Sequence, residues 1–283
     1  MLEEIDALGS IISSGFDSFF KSEVNISLIY MGCLSLVILL FVDYLGQSFH
    51  HFRCYATVAF LMGGSCSLFA SFISSRIGCM TNFRGAYMAR NGLNAGFKTL
   101  YRGGLVIGFT TAGILLASLL SLLLCYWSVA KDDPLSYEQK VFTLMLLVSA
   151  YGLGASCLAI FGRVGGGVYS KAADVSCELI GKVDVKFKQQ SIINPATIAD
   201  IVGDATIEIT GTQSDMFGSL AEVSCAILVL LSCISDMNKH FQVFLIPMMV
   251  IALGIYSNIF TSILVLFVYR PDTEQKLDKV FSL

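Results

Sequence analysis

The chain has 283 residues, of which 55% are hydrophobic and 14% charged, with a net charge of -3 and a mean hydropathy of +0.74. Soluble domains carry about 25% charged residues. The deficit excludes an ordinary water-soluble domain and points to a multi-span membrane protein; no nucleic-acid partner is expected.

Residues 1–25 open with MLEEIDALGSIISSGFDSFFKSE, which is acidic and mildly amphipathic. The stretch lacks the basic start and small-residue cleavage site of a signal peptide, and it reads as a cytosolic N-terminal segment. Six apolar runs come after it, at 26–44, 54–75, 103–129, 141–162, 212–235 and 241–269. Each is close to the ~20 residues a helix needs to cross the hydrocarbon, or exceeds them. A transmembrane β-barrel requires alternating segments of about 10 residues, and none occur. The expected fold is therefore all-α: a polytopic transmembrane bundle over 26–269, with helices extended into the cytosol and a cytosolic tail at 270–283.

Cysteines number nine, at 33, 54, 66, 79, 125, 157, 177, 225 and 233, and no two form a CxxC pair. They read as small apolar packing residues. His50, His51 and His240 fall in connectors and read as solvated. Sidedness follows from the cations. Fourteen Lys and Arg lie in the N-terminal segment, in 76–102, in 163–211 and in the tail, against four in the other connectors. The positive-inside rule places the richer side in the cytosol. Segment 163–211 then opens to the cytosol, and KDDPLSYEQK (131–140) faces the other way.

The charges of 161–222 carry the functional signal. Arg163, Lys171, Asp174 and Glu178 step by eight, three and four residues. At about 100° per residue they share a sector of roughly 90° on one helix. Gly165, Gly166 and Gly167 lie within that helix and suit close helix–helix contact. No GxxxxGK[ST] phosphate loop is present. A second stripe holds Asp200, Asp204 and Glu208 at steps of four, then Asp215 and Glu222 at steps of seven. Asn194 is placed to cap that helix, with Pro195 at its first position. Like charges at i,i+4 destabilise a bare helix, so three in succession imply a cation among them. Oxygen ligands of this kind suit Mg²⁺, which takes one or two carboxylates, water and substrate phosphate; Lys171 would meet phosphate as a point charge. A solvated amphipathic face is the alternative for 194–211. Asp215 and Glu222 fall inside the fifth span, where acids are functional by default and pair. Arg163 is the expected partner, and the three suggest a proton path or gate.

The segments YGLGASCLAIFGRVGGGVYSKAADV (151–175), GKVD followed by NPATIADIVGD (194–204), and FLMGG with FKTLYRGG within 55–110 resemble the membrane-bound, proton-pumping inorganic pyrophosphatases. The resemblance implies hydrolysis of cytosolic pyrophosphate with Mg²⁺, coupled to movement of a proton or sodium ion through an ionic gate. Carried over by position, Lys171 would contact pyrophosphate. Asp174, Glu178, Asp200 and Asp204 would hold Mg²⁺, Glu208 with Asp204 would activate the water, and Arg163, Asp215 and Glu222 would form a share of the gate. Glu178 and Glu208 stand where the family has Asp, and KFKQQSII (186–193) replaces its acidic loop. Family members are longer, and their second half supplies further site residues. A truncated or degenerate non-catalytic member, acting as a membrane subunit or ion-pathway protein, is the alternative reading. The resemblance also implies a homodimer, or a partner bringing the missing half. It places the protein in a vacuolar, acidic-organelle or plasma membrane.

Overall fold

The computed structural model describes residues 2–44, 54–130, 135–183, 194, 196–234 and 241–269, with 271, 273 and 276 beyond them. All regular structure among these residues is helical. α1 (Leu2–Ile38) ends in a π-helical turn (Leu39–Tyr44) and is followed by α2 (Tyr55–Ala89) and α3 (Leu93–Ala130). α4 (Tyr137–Ile160) runs through a π turn (Phe161–Gly165) into α5 (Gly166–Val183). α6 (Ala196–Val202) runs likewise through a π turn (Gly203–Ile207) into α7 (Glu208–Cys233). A 3₁₀ turn (Phe241–Leu245) leads into α8 (Ile246–Ile263) and a last π turn (Leu264–Val268).

Six of the resulting rods are long and apolar enough to cross a membrane: Ala7–Tyr44, Tyr55–Ala89, Leu93–Ala130, Tyr137–Val183, Ala196–Cys233 and Gln242–Val268. The six expected runs are all recovered, and the chain is a multi-pass membrane protein. The rods are longer than the apolar runs because the polar flanks continue the same helices. The fourth extends past Arg163 to Val183, and the fifth starts before Asp200. The first begins well before residue 26, so α1 has no break at the expected 25/26 boundary.

Packing centres on α4, which lies against α2 and α7, while α3 covers α2. Phe60, Leu115, Leu119, Leu123, Leu144, Met145, Val148, Tyr151, Phe217 and Leu228 are fully buried there. In lipid, apolar burial distinguishes little between helix and tail, so close backbone approach and hydrogen bonds direct association. Both are present. A Cβ on Gly63 would stand 2.0 Å from the Tyr151 carbonyl oxygen, and one on Gly154 would stand 2.0 Å from that of Phe60. α2 and α4 therefore cross backbone to backbone. The Tyr151 hydroxyl is 2.6 Å from Ser118 Oγ, and the Tyr126 hydroxyl donates to the Tyr55 carbonyl at 2.5 Å.

α2 is capped from a distance. Cys54 precedes it without a side-chain cap. Asp43, 2% exposed in the π turn of α1, accepts from the N–H groups of Ala56 (3.0 Å) and Thr57 (2.9 Å) and from Thr57 Oγ1 (2.7 Å). A carboxylate at a helix N-terminus satisfies orphan donors and the macrodipole together. α8 and the π turn after it pack lightly and leave Met249, Val250, Leu253, Tyr256, Phe260 and Phe267 exposed, a surface suited to acyl chains. Expectations for Arg53, Lys131, Lys239, Pro195, the three histidines, 186–193 and most of the tail lie outside the described residues.

Candidate functional site

The charged residues sit where two continuous rods, α4–α5 and α6–α7, cross. Each rod carries a π turn at the crossing. A π turn inserts one residue into the helix and rotates the later residues by about 100° relative to a regular helix. The two regular stripes read from the sequence therefore slip part-way along. The backbones approach through glycines. A Cβ on Gly166 would lie 3.0 Å from Ile207 Cγ2, on Gly203 2.9 Å from Ser170 Cα, and on Gly211 2.5 Å from the Gly162 carbonyl oxygen. Close contact was expected of the whole Gly165–Gly167 run. Only Gly166 makes it; Gly165 and Gly167 face open space.

One end of the crossing gathers the acids. Asp200 lies in the electrostatic field of Asp204, Asp174 and Lys171. Lys171 Nζ is 3.9 Å from Asp174 Oδ2. Asp204 Oδ1 accepts from Ser170 Oγ at 2.6 Å, which ties the π turn of the fifth rod to α5. Asn194, fully buried, caps α6 as expected: its Oδ1 accepts from the Ala196 N–H at 3.0 Å. Its Nδ2 also donates to the Cys177 carbonyl at 3.1 Å, so the cap pins α6 to α5. Asp204 and Glu208 open onto a cavity of about 560 Å³, shared with Thr81, Asn82, Thr212, Gln213 and the glycines of α2 and α3. Gln213 is held there by its Nε2 donating to Thr111 Oγ1.

Other expected members are placed differently. Glu178 Oε1 pairs with Lys182 Nζ at 3.2 Å, one turn further along its own helix. The anticipated Arg163–Asp215–Glu222 pairing does not form by direct contact among the described residues. Arg163 lies inside the π turn and donates from Nη1 to Thr212 Oγ1 at 2.7 Å. Glu222 Oε2 accepts from Ser156 Oγ at 3.0 Å. Asp215 has no hydrogen bond or ion pair among the described residues. Thr212 and Asp215 are three residues apart on one face of the helix, so Arg163 meets the turn before Asp215, and Glu222 lies about 15 Å beyond Thr212 along the axis.

The N-terminal helix is not among the expected site elements, yet it supports the site. Phe16 is fully buried with Val202, which precedes the π turn of Asp204, and Ile207, which ends it. A Cβ on Gly15 would stand 3.1 Å from Val202. Arg76 and Asp17 bridge α2 and α1 nearby at 2.9 Å. The Phe16–Phe19–Phe20 cluster, flanked by polar residues, is the sequence signal for this buttress. Ser170 and Ser156 carry none beyond proximity to named residues.

Among the described residues, no three His, Cys, Asp or Glu side chains gather into a complete metal cage. The donor chemistry still fits Mg²⁺, which needs only one or two protein carboxylates beside water and phosphate oxygens. Asp200 Oδ1 is moreover buried with no hydrogen-bond partner among the described residues.

Fold and side chains together define a polytopic membrane protein with an acidic site at one end of two crossing rods and charged groups further along them. Residues 2–282 match the inorganic H⁺ pyrophosphatase family model, and the chain belongs to that family. It is 33% identical over 239 residues to a K⁺-stimulated pyrophosphate-energized sodium pump of Thermotoga maritima, covering 81% of this chain and 31% of that protein. It is 30% identical over 234 residues to a K⁺-insensitive pyrophosphate-energized proton pump of Caldanaerobacter subterraneus, covering 81% and 32%. Against the K⁺-insensitive proton pump of Methanosarcina mazei it is 29% identical over 270 residues, covering 95% and 36%. The chain thus spans about a third of the length of the curated relatives it matches.

Proposed function

We propose that this chain forms the substrate-facing and ion-conducting portion of a membrane-bound inorganic pyrophosphatase, coupling Mg²⁺-dependent pyrophosphate hydrolysis to proton translocation. The observation that carries this reading is that Asp174, Asp204 and Lys171 all act electrostatically on Asp200, at the end of two rods, Tyr137–Val183 and Ala196–Cys233, each long and apolar enough to cross a membrane. Chemistry at that end and movement within the bilayer would then share the same helices.

Lys171 contacts the substrate's phosphate oxygens as a point charge. Asp174, Asp200 and Asp204, with Glu178 once released from Lys182, present the carboxylates that would hold Mg²⁺. When bound, the ion would neutralise charge on the phosphoryl oxygens. Glu208, with Asp204 beside it on the cavity wall, accepts the proton of the attacking water. The water oxygen joins one phosphorus, the bridging P–O bond breaks, and two phosphates leave. Ser170 orients Asp204 throughout. Arg163, Asp215 and Glu222 serve the ion path, with Thr212 and Ser156 as the positions from which Arg163 and Glu222 would move. The partners are pyrophosphate, the lipid bilayer, and a second copy or a polypeptide completing the family's length; the membrane is vacuolar, of an acidic organelle, or plasma.

A non-catalytic subunit or ion-pathway protein is the second reading, favoured by the Glu178–Lys182 pair, which occupies an expected ligand. Phosphate release from pyrophosphate by the purified chain in lipid separates the two. Mg²⁺-dependent release lost in Asp204→Ala supports the enzyme. A folded chain that releases no phosphate at saturating Mg²⁺ supports the second reading.

A further inference from the structure

The inward stripe of α1 runs through Phe16, Phe20, Glu23, Ser27, Met31 and Ile38, at steps of four, three, four, four and seven. These positions share one helix face. Phe16, Met31 and Ile38 are buried apolar residues; Glu23 and Ser27 interrupt them inside the apolar rod Ala7–Tyr44. α1 and α2 run antiparallel, with Asp17 paired to Arg76, Phe20 against Phe72, and Met31 against Gly64. Interpolation at about 1.5 Å per residue sets Glu23 level with Ser71 and Ser27 level with Ser67. The third wall is the crossing of the fourth and fifth rods. A Cβ on Gly162 would stand 3.3 Å from Glu23 Oε1 and 3.1 Å from Ser214 Cβ. Ser214 Oγ is 3.4 Å from Ser67 Oγ. One carboxylate and hydroxyls from three helices thus stand at neighbouring levels along one seam, apart from Asp174, Asp200 and Asp204.

The seam has unsatisfied oxygens. Ser27 and Ser71 are 1% and 4% exposed, and their Oγ atoms have no hydrogen-bond partner among the described residues. Other serines of α2 behave otherwise: Ser74 and Ser75 donate to the carbonyls of Ala70 and Phe72 on their own helix. A buried hydroxyl left unpaired bears its full desolvation penalty. Glu23 has no ion pair or hydrogen bond among the described residues, and Arg163 is engaged by Thr212. A carboxylate partly buried between helices is stabilised by a counter-charge, water or an ion. The donor set is all oxygen, with one negative charge, which suits a small hard cation.

We propose that Glu23, Ser27, Ser67, Ser71 and Ser214 form a binding site for a small hard cation, sodium or a hydrated proton, between the first, second and fifth rods. Gly162 leaves room for the carboxylate, and the Ser67–Ser214 contact fixes the far wall. Use of the site as a station on an ion path rests on the function proposed above; the binding itself does not.

Radiolabelled sodium binding to the purified full chain in lipid nanodiscs, at constant pH and ionic strength, tests the site without any hydrolysis. Saturable binding is expected, weakened about tenfold or more by Glu23→Gln and about threefold by the Ser27→Ala/Ser71→Ala pair. Asp17→Asn, two turns earlier on α1, leaves it unchanged. Carbodiimide labelling of Glu23, read by peptide mass spectrometry, separates the two cations. Protection by sodium assigns sodium; labelling indifferent to sodium but altered in the serine pair assigns the hydrated proton. Each variant is read only where its melting profile matches the parent, and Glu23→Asp replaces Glu23→Gln if the latter does not fold. Sodium binding unaltered in Glu23→Gln overturns the proposal, as does a chain with neither sodium binding nor Glu23 labelling.

Discussion

Replacing Gly211 with alanine puts a methyl group 2.5 Å from the Gly162 carbonyl oxygen and 3.3 Å from Arg163 Cα. Ordinary contact begins near 3.4 Å, and the atoms it meets are backbone, which no rotamer change relieves. The fourth and fifth rods must part by several tenths of an ångström. Overpacking of this kind costs about 1–3 kcal/mol. Against it stands the helix preference for alanine over glycine, about 1 kcal/mol. Gly167→Ala provides the matched reference, because it gains the same preference on the neighbouring rod with nothing within 4 Å. The preference cancels between the two variants, so Gly211→Ala should be less stable than Gly167→Ala by about 1–3 kcal/mol. Reversible denaturation of the purified chain in mixed micelles, followed by circular dichroism, measures the gap. A gap below about 0.5 kcal/mol, the size of an ordinary surface substitution, would refute the claim that these rods meet backbone to backbone.

Single contacts set two further outcomes. Asp43→Ala strips three hydrogen bonds from the start of α2 and should destabilise the chain by roughly 2–4 kcal/mol in the same assay, with Asp43→Asn costing less. Ser170→Ala removes the donor to Asp204. A hydrogen bond to a charged group contributes up to about 1.5–3 kcal/mol to stability, so the variant should unfold more easily by up to that amount in the same denaturation assay, and Mg²⁺-dependent binding of a pyrophosphate analogue should weaken because Asp204 loses the donor that orients it.

The six spans are legible because an uninterrupted apolar run of membrane length leaves the chain little choice but to cross the bilayer as a helix. Their continuation is legible too, since Asp200 and Glu178 keep helical spacing with the spans beside them. Register between rods is where the pattern slips. Arg163 is expected to face Asp215 and Glu222, and instead it meets Thr212. Thr212, Asp215 and Glu222 belong to one helix, and which of them an arginine of the neighbouring rod reaches depends on how the two helices are placed along each other, which a hydrophobic pattern does not record. The two π turns, at Phe161–Gly165 and Gly203–Ile207, leave no mark in it either. The glycines beside them hint at close contact, but which glycine touches depends on the partner helix, as Gly166 and its neighbours demonstrate. Asp43 is invisible for a related reason: its helix is capped from 13 residues away, and capping rules look only at adjacent residues. The N-terminal helix reads as a separate cytosolic segment because its acidic character outweighs Phe16, whose burial against Val202 and Ile207 depends on tertiary packing.

The central claim, that the crossing of the two rods is a Mg²⁺-pyrophosphate site, is tested most directly by binding. Calorimetric titration of the purified chain in lipid with imidodiphosphate, a non-hydrolysable pyrophosphate analogue, would be run with and without Mg²⁺. The account predicts saturable binding that requires Mg²⁺ and is lost in both Asp204→Ala and Lys171→Ala. A folded chain that binds no analogue, or binds it equally well in both variants, would contradict it.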